Sequence, residues 1–331
     1  MRRMITGLII IAEVFLSGAV YSQAVYTDPL AHTYSIVAWD EETGDMGVAV
    51  QSHWFSVGSL VSWAEAGAGA VATQSFVNPS FGPRGLDLLK QGKTAQQVVD
   101  ELIASDPGRD VRQLAIVDSR GNAAVYTGSG CIAEAGHYAG KHFTVQANMM
   151  LNNTVWTAMA EAYKSAHAKP LAERLVAALE AAQEHGGDIR GKQSAALVVV
   201  RGHSTGKLWE DRRIDLRVDD HEKPVKELKR LLSLHRAYEH MNAGDLAIEN
   251  NDVDTALKEY SAAESMFPGN LEMKFWHAVS LANMGRVSQS LSLFRQVFEE
   301  DPNWLELLKR LPDAGLLSVD AEDMDKITSL H

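Results

Sequence analysis

The side chains able to do acyl-transfer chemistry lie in the first two thirds of the chain, mostly at the ends of apolar runs. Ser52 and His53 close one such run, Thr73 and Gln74 close another, and Asn78, Asn148 and Gln193 stand at or near strand ends. Adjacent serine and histidine make no nucleophile–base pair by themselves, because neighbours on a strand point to opposite faces. One of the two could line a pocket together with Thr33, or both could be polar strand ends. Thr73, Gln74 and Asn78 flank a loop of small residues and could offer an amide or hydroxyl to a substrate carbonyl or an oxyanion. Asn78-Pro79 equally has the chemistry of a plain turn. Asn148 and Gln193 are further candidates for orienting a substrate. Arg84 falls at a helix start, where a cation opposes the helix dipole, so an anion is expected beside it: a carboxylate partner or a substrate group.

Other chemistries find less support. The chain has 12 histidines but no HExxH or comparable ligand spacing, and its single cysteine excludes a cysteine-based zinc site and an internal disulfide. Cys131, within Gly128-Ser129-Gly130-Cys131-Ile132, reads as a small buried filler. Asp219-Asp220-His221 could hold a cation but sits where a turn before a helix is expected. Asp110, Arg112, Asp118 and Arg120 read as turn and surface charges. Gly67-Ala68-Gly69-Ala70 lacks the lysine of a phosphate loop and the downstream fingerprint of a dinucleotide site, so neither a cofactor nor a metal is expected. A formal charge of −12 argues against nucleic acid as a partner, since phosphate binding needs clustered Lys and Arg.

The elements that must position these residues follow from periodicity. Tyr34 to Trp39 and Gly47 to Ser52 read as a hairpin across the Asp40–Asp45 turn, and Ala68 to Gln74 as another strand. The segment Asn78 to Pro83 reads as loop, followed by helices over Gly85–Gln91 and Thr94–Ala104, the second capped by Thr94. Strands return at Gln113–Val117, Ala123–Thr127 and His142–Ala147, helices at Thr154–His167 and Leu171–His185, then strands at Ser194–Val200 and Ile214–Val218. Strands, two helices, strands, two helices, strands is the order of two packed sheets with helices outside, an α+β class four-layer αββα sandwich.

Beyond Pro224 the pattern is continuously helical. Met241–Asn270 and Phe275–Trp304 align at a fixed offset: Pro302 follows Pro268, and Phe294 follows Tyr260, by 34 residues each. Small residues at Ala243, Gly244 and Ala247 permit close helix crossing. That period and pattern are tetratricopeptide-like, with two copies where about three are needed to stand alone. At the other end, Met1-Arg2-Arg3-Met4, the apolar run Ile5–Val20 and the small or polar Ser22-Gln23-Ala24 have the three-part form of a secretory signal. The run is shorter than the ~20 residues a membrane span needs and carries Glu13. The expected organisation is a signal at 1–24 cleaved after Ala24 or Ser22, a domain over 25–235 and helical repeats over 236–331. The product would be exported, periplasmic or extracellular, with no membrane span after cleavage.

Thr33-Tyr34-Ser35-Ile36-Val37-Ala38, Gly47-Val48-Ala49-Val50 and Gly67–Gln74 together resemble the DUF1028 family. So do Asn78–Leu86, Arg112–Ala115, Gln146-Ala147-Asn148, Gly191–Ala196 and Asp215–His221, in order, over roughly residues 33–235. The resemblance implies the fold of the N-terminal-nucleophile hydrolases but no known reaction. In similar enzymes the first residue of the matured chain, a Thr, Ser or Cys, attacks an amide carbonyl, and its own α-amino group, of pKa about 7.7–8.0, acts as base. Relatives commonly begin Met-Thr. Here Thr33 opens the first strand but follows Val25–His32, so signal cleavage alone would not free it and a second cut before Thr33 is needed. Two functions are then open. One is an exported amide-bond hydrolase acting on an amide or peptide-like small substrate, with Thr33 as nucleophile and Ser52, His53 and Asn148 beside it; Thr73, Gln74, Asn78, Arg84 and Gln193 would line the pocket. The other is a non-catalytic binding protein or homo-oligomer that meets a protein partner through its helical repeats.

Overall fold

A computed structural model describes residues 30–330; the expected signal at 1–24 lies outside them. The strands are β1 (Leu30–Ala31), β2 (Thr33–Trp39), β3 (Met46–Ser52), β4 (Ser62–Glu65), β5 (Gly69–Phe76), β6 (Arg112–Asp118), β7 (Ala123–Thr127), β8 (Gly136–Gly140), β9 (Phe143–Ala147), β10 (Ser194–Val200) and β11 (Arg212–Val218). The helices are α1 (Phe81–Lys90), α2 (Ala95–Ala104), α3 (Val155–Ser165), α4 (Leu171–Glu184), α5 (Leu208–Asp211), α6 (Pro224–Glu249), α7 (Val253–Met266), α8 (Leu271–Asn283), α9 (Val287–Glu300), α10 (Asn303–Leu308) and α11 (Ala321–Thr328).

The strands form two antiparallel sheets. One runs β1-β5-β6-β7, with β4 also on β5; the other runs β11-β10-β3-β2-β9-β8. Strand alternation sorts the side chains. Val37, Val48, Val50, Ala196 and Val198 of the second sheet meet Ala70, Ala72, Ala115 and Val117 of the first in one apolar layer. The opposite faces of the same strands, Tyr34, Ile36, Ala49 and Leu197, pack on Leu175, Val176 and Leu179 of α4 and on Met159 of α3. Val71, Leu114 and Ile116 pack on Leu86, Val98 and Leu102 of α1 and α2. The almost wholly apolar β2 and β10 are therefore buried on both faces.

Several elements depart from the sequence expectation, β1 and α5 among them. Helix α1 begins at Phe81, so Gly82-Pro83-Arg84, read as loop and helix start, lies within its first turn, where Pro83 lacks only an N–H that needs no intrahelical partner. Its Gly82 faces the Trp63 indole so closely that a Cβ would sit 2.3 Å from the ring. Strands β4 and β8 carry little alternation of their own and exist by pairing with β5 and β9. Thr94 forms the expected cap, reciprocated by the Gln97 side chain.

The C-terminal region consists of helices and the turns between them. Helix α6 runs 26 residues. Its Leu228 and Leu232 join the cluster under the second sheet, while its Ala237, Met241 and Ala247 pack with Ala256, Tyr260 and Ala263 of α7. Gly244 allows that approach, since a Cβ there would lie 2.5 Å from the Tyr260 ring. Phe275, Phe294, Phe298, Leu305 and Ile327 build a separate core from α8 to α11. Among the described residues no helix is long and apolar enough to cross a membrane.

Candidate functional site

At one end the layer between the sheets turns polar, for a reason visible in the strand positions. Ser35 on β2 and Gln146 on β9 are direct partners in the second sheet, and Gln74 on β5 and Gln113 on β6 are partners in the first. All four occupy inward positions that elsewhere hold Val or Ala, and all are fully buried. They satisfy one another across the layer. Ser35 Oγ donates to Gln74 Oε1 at 2.5 Å and Gln146 Nε2 donates to Ser35 Oγ at 2.5 Å. Gln74 Nε2 donates to Gln113 Oε1 at 2.6 Å. Such networks stabilise only when each member is paired.

The seam ends at Thr33, where the chain changes sheets. Leu30 and Ala31 pair with Phe76 and Ser75 of β5, whereas Thr33 pairs with Ser52 of β3 in the other sheet. His32 is the crossing residue. The Thr33 carbonyl accepts from Gln74 Nε2 at 3.1 Å and from the Asn148 backbone N–H at 3.1 Å. Thr33 Oγ1 donates to the Ala31 carbonyl at 2.7 Å. The His32 carbonyl accepts two side-chain donors, Ser52 Oγ at 2.6 Å and Arg190 Nη2 at 2.8 Å. Asp188, whose side chain is fully buried, holds that guanidinium through Oδ1 to Nε at 3.1 Å and Oδ2 to Nη2 at 2.7 Å. The His32 imidazole is 1% exposed, with Nδ1 2.7 Å from Asn148 Oδ1 and its edge toward the Phe76 ring at 5.7 Å. Burial pushes its pKa below the ordinary histidine value, against the Asn148 hydrogen bond, which raises it.

Of the residues anticipated from sequence, Thr33, Ser52, Gln74 and Asn148 converge here. The remainder lie elsewhere. The His53 side chain is exposed, and only its backbone N–H reaches the site, donating to Asp188 Oδ2 at 3.2 Å. Thr73 points to the outer face of its sheet, donating to the Asn78 carbonyl at 3.2 Å, and Asn78 caps its own turn by accepting from the Ser80 N–H and hydroxyl. Arg84 bonds Ser105 Oγ at 3.0 Å and lies over the Phe81 ring; among the described residues no carboxylate pairs with it. Gln193 reaches out to Asp220 at 3.1 Å. Arg112 is not a surface charge: with side chains 5% and 8% exposed, it and Asp106 form an ion pair at 2.6 Å, and it donates to the Phe76 carbonyl. Asp118 is buried too, capping the N-terminus of α2 and its own turn. Cys131 is half-buried, with Sγ against the Arg112 carbonyl at 3.3 Å.

His32, Ser35, Gln113, Gln146, Asp188 and Arg190 belong to the site and were not anticipated. Gln113 and Gln146 carried a signal: a long amide inside an apolar strand must meet another polar group. Asp188 and Arg190 carried none, since they lie in the irregular segment before β10. Among the described residues no three His, Cys, Asp or Glu side chains cluster closely enough to hold a metal ion.

Over residues 33–228 the sequence matches the DUF1028 family, described as a family of unknown function. The chain belongs to the DUF1028 family. A crystal structure of a DUF1028 protein from Silicibacter pomeroyi is similar at 32% identity and a TM-score of 0.55, over 61% of this chain and 88% of that one. No curated protein matches the chain. The matched DUF1028 segment begins at Thr33, so β1 and His32 precede it, while Ser52, Gln74, Asn148 and Arg190 fall inside.

Proposed function

We propose that the protein is an exported amide hydrolase of the N-terminal-nucleophile type, whose nucleophile Thr33 is freed by scission of the His32–Thr33 bond. The observation that carries this reading is the pair of donors on the His32 carbonyl, Ser52 Oγ at 2.6 Å and Arg190 Nη2 at 2.8 Å. This is the carbonyl of the bond whose cleavage would expose the Thr33 amine. Donors aimed at a carbonyl oxygen stabilise the negative charge it gains under attack. Thr33 Oγ1 adds to the His32 carbonyl carbon, the C–N bond breaks, and the hydroxyl proton passes to the new amine. Water then hydrolyses the ester to a carboxylic acid and restores the hydroxyl. On later substrates the Thr33 amine serves as base.

The layering of two helix pairs around two sheets supports assignment as an αββα sandwich of that hydrolase class. The antiparallel helix pairs at the C-terminus support a tetratricopeptide-like tail that offers a protein partner a surface. Export is proposed from residues 1–24 alone. One observation favours the non-catalytic reading for the uncut chain: the Thr33 nitrogen is acylated by His32 and its hydroxyl is bonded to Ala31. N-terminal sequencing and intact mass of the exported protein separate the two. A chain beginning at Thr33, with amide hydrolysis lost in Thr33→Ala, supports the hydrolase; a chain beginning near Val25 refutes it.

A further inference from the structure

Residues 30–32 occupy the place that an acyl substrate of Thr33 would take, and three features hold them. The backbone is held as an added strand, Leu30 and Ala31 pairing antiparallel with Phe76 and Ser75 at the edge of β5. The carbonyl is held by Ser52 and Arg190. The side chain is held by an acceptor of fixed orientation. Asn148 Nδ2 donates to Gln113 Oε1 at 2.8 Å and to the Thr33 carbonyl at 3.4 Å, which leaves Oδ1 to receive a donor. Gln113 cannot turn round to relax this, because its Nε2 donates to Thr127 Oγ1, Gly136 O and Ala147 O. The imidazole therefore carries its hydrogen on Nδ1, and among the described residues Nε2 is buried without a partner.

We propose that the mature site recognises extended peptides whose acyl residue is histidine, His32 being the first substrate, so that the enzyme cleaves on the carboxyl side of histidine. This rests on the reading of Thr33 as nucleophile. An aliphatic side chain in the same pocket leaves Asn148 Oδ1 buried and unpaired, a loss worth about tenfold or more in rate. A lysine or arginine would bring a charge beside Arg190 in a buried place, which desolvation and like-charge repulsion disfavour. The chemistry is the same as in the first cut: the peptide carbonyl carbon forms an ester with Thr33 Oγ1, the leaving amine takes the proton, and water releases a peptide ending in a histidine carboxylate.

The test uses the exported full-length protein recovered after its own cut, with Leu-Ala-X-aminomethylcoumarin substrates where X is His, Leu or Lys. The expected kcat/KM for His exceeds those for Leu and Lys by about tenfold or more, and Asn148→Leu, a positioning variant, brings the His/Leu ratio toward one. Hydrolysis at equal rates across the panel overturns the histidine preference and leaves Thr33 as nucleophile. A protein that keeps residues 30–32 overturns both. If Thr33 is free and nothing is hydrolysed, the hydrolase reading fails, and calorimetry with acetyl-Leu-Ala-His against acetyl-Leu-Ala-Leu decides the pocket. Tenfold tighter binding of the histidine peptide supports it, and equal binding overturns it.

Discussion

Replacing Gln74 by leucine removes the group that bridges the two sheets while nearly conserving volume, so its cost measures the polar seam and not a cavity. The bookkeeping follows from the partners. The Thr33 carbonyl keeps the Asn148 N–H at 3.1 Å, and Gln113 Oε1 keeps Asn148 Nδ2 at 2.8 Å. Ser35 does not fare as well, because its hydroxyl donates to Gln74 Oε1 and would be left buried with no acceptor. One orphaned donor costs about 1–3 kcal/mol, so Gln74→Leu should lose about 2 kcal/mol. At a slope of about 2 kcal/mol per molar, that is a fall of about 1 M in the urea midpoint with the slope unchanged. Tryptophan fluorescence across a urea titration reads it directly. Adding Ser35→Ala removes the orphaned hydroxyl but strands Gln146 Nε2, which now donates to Ser35 Oγ at 2.5 Å, so less than half the loss should return. A single variant within about 0.5 kcal/mol of the parent, or full recovery in the double variant, would refute this account of the seam.

Two further substitutions probe other links. Gly244→Ala should destabilise the α6–α7 pair by about 1–3 kcal/mol, although alanine is the better helix former, because the new methyl meets the Tyr260 ring at 2.5 Å; a rise in the melting temperature of the helical region would contradict it. Arg112→Leu should cost about 3 kcal/mol at neutral pH by leaving Asp106 buried and unpaired. For Asp106, burial pushes the carboxyl up, but the Arg112 guanidinium and the Gly108 N–H outweigh it and hold the pKa below the ordinary aspartate value. The pair's stabilisation is therefore present above the unfolded aspartate pKa of ~3.9 and lost as pH falls through the lower folded value. The difference between parent and variant should narrow on acidification, and a difference that stays constant from pH 7 to pH 3 would count against the ion pair.

Much of the architecture is legible in local pattern. The apolar runs of β2, β3 and β10, the Asp40–Asp45 turn, the Thr94 cap and the periodic helices α3 and α4 announce themselves because each is decided by its own residues. So does the continuous helical periodicity beyond Pro224, where α6 packs on α7 and α8 on α9. Strands β4 and β8 do not, since a weakly patterned segment becomes a strand only when a neighbour supplies its hydrogen bonds. The site divides along the same line. Thr33, Ser52, Gln74 and Asn148 stand out as polar residues at the ends of apolar runs; residue chemistry picks the last three from sequence, and the family resemblance picks Thr33. That His53 faces solvent while Ser52 faces inward is set by strand register, which a pairing partner decides. The tertiary fold alone brings Arg190, 158 residues along the chain, against the His32 carbonyl with Asp188 holding its guanidinium, and places a segment that precedes the family's first matched residue at the site. Residue type fixes what a group can donate or accept; only the closed chain determines which buried group must answer it.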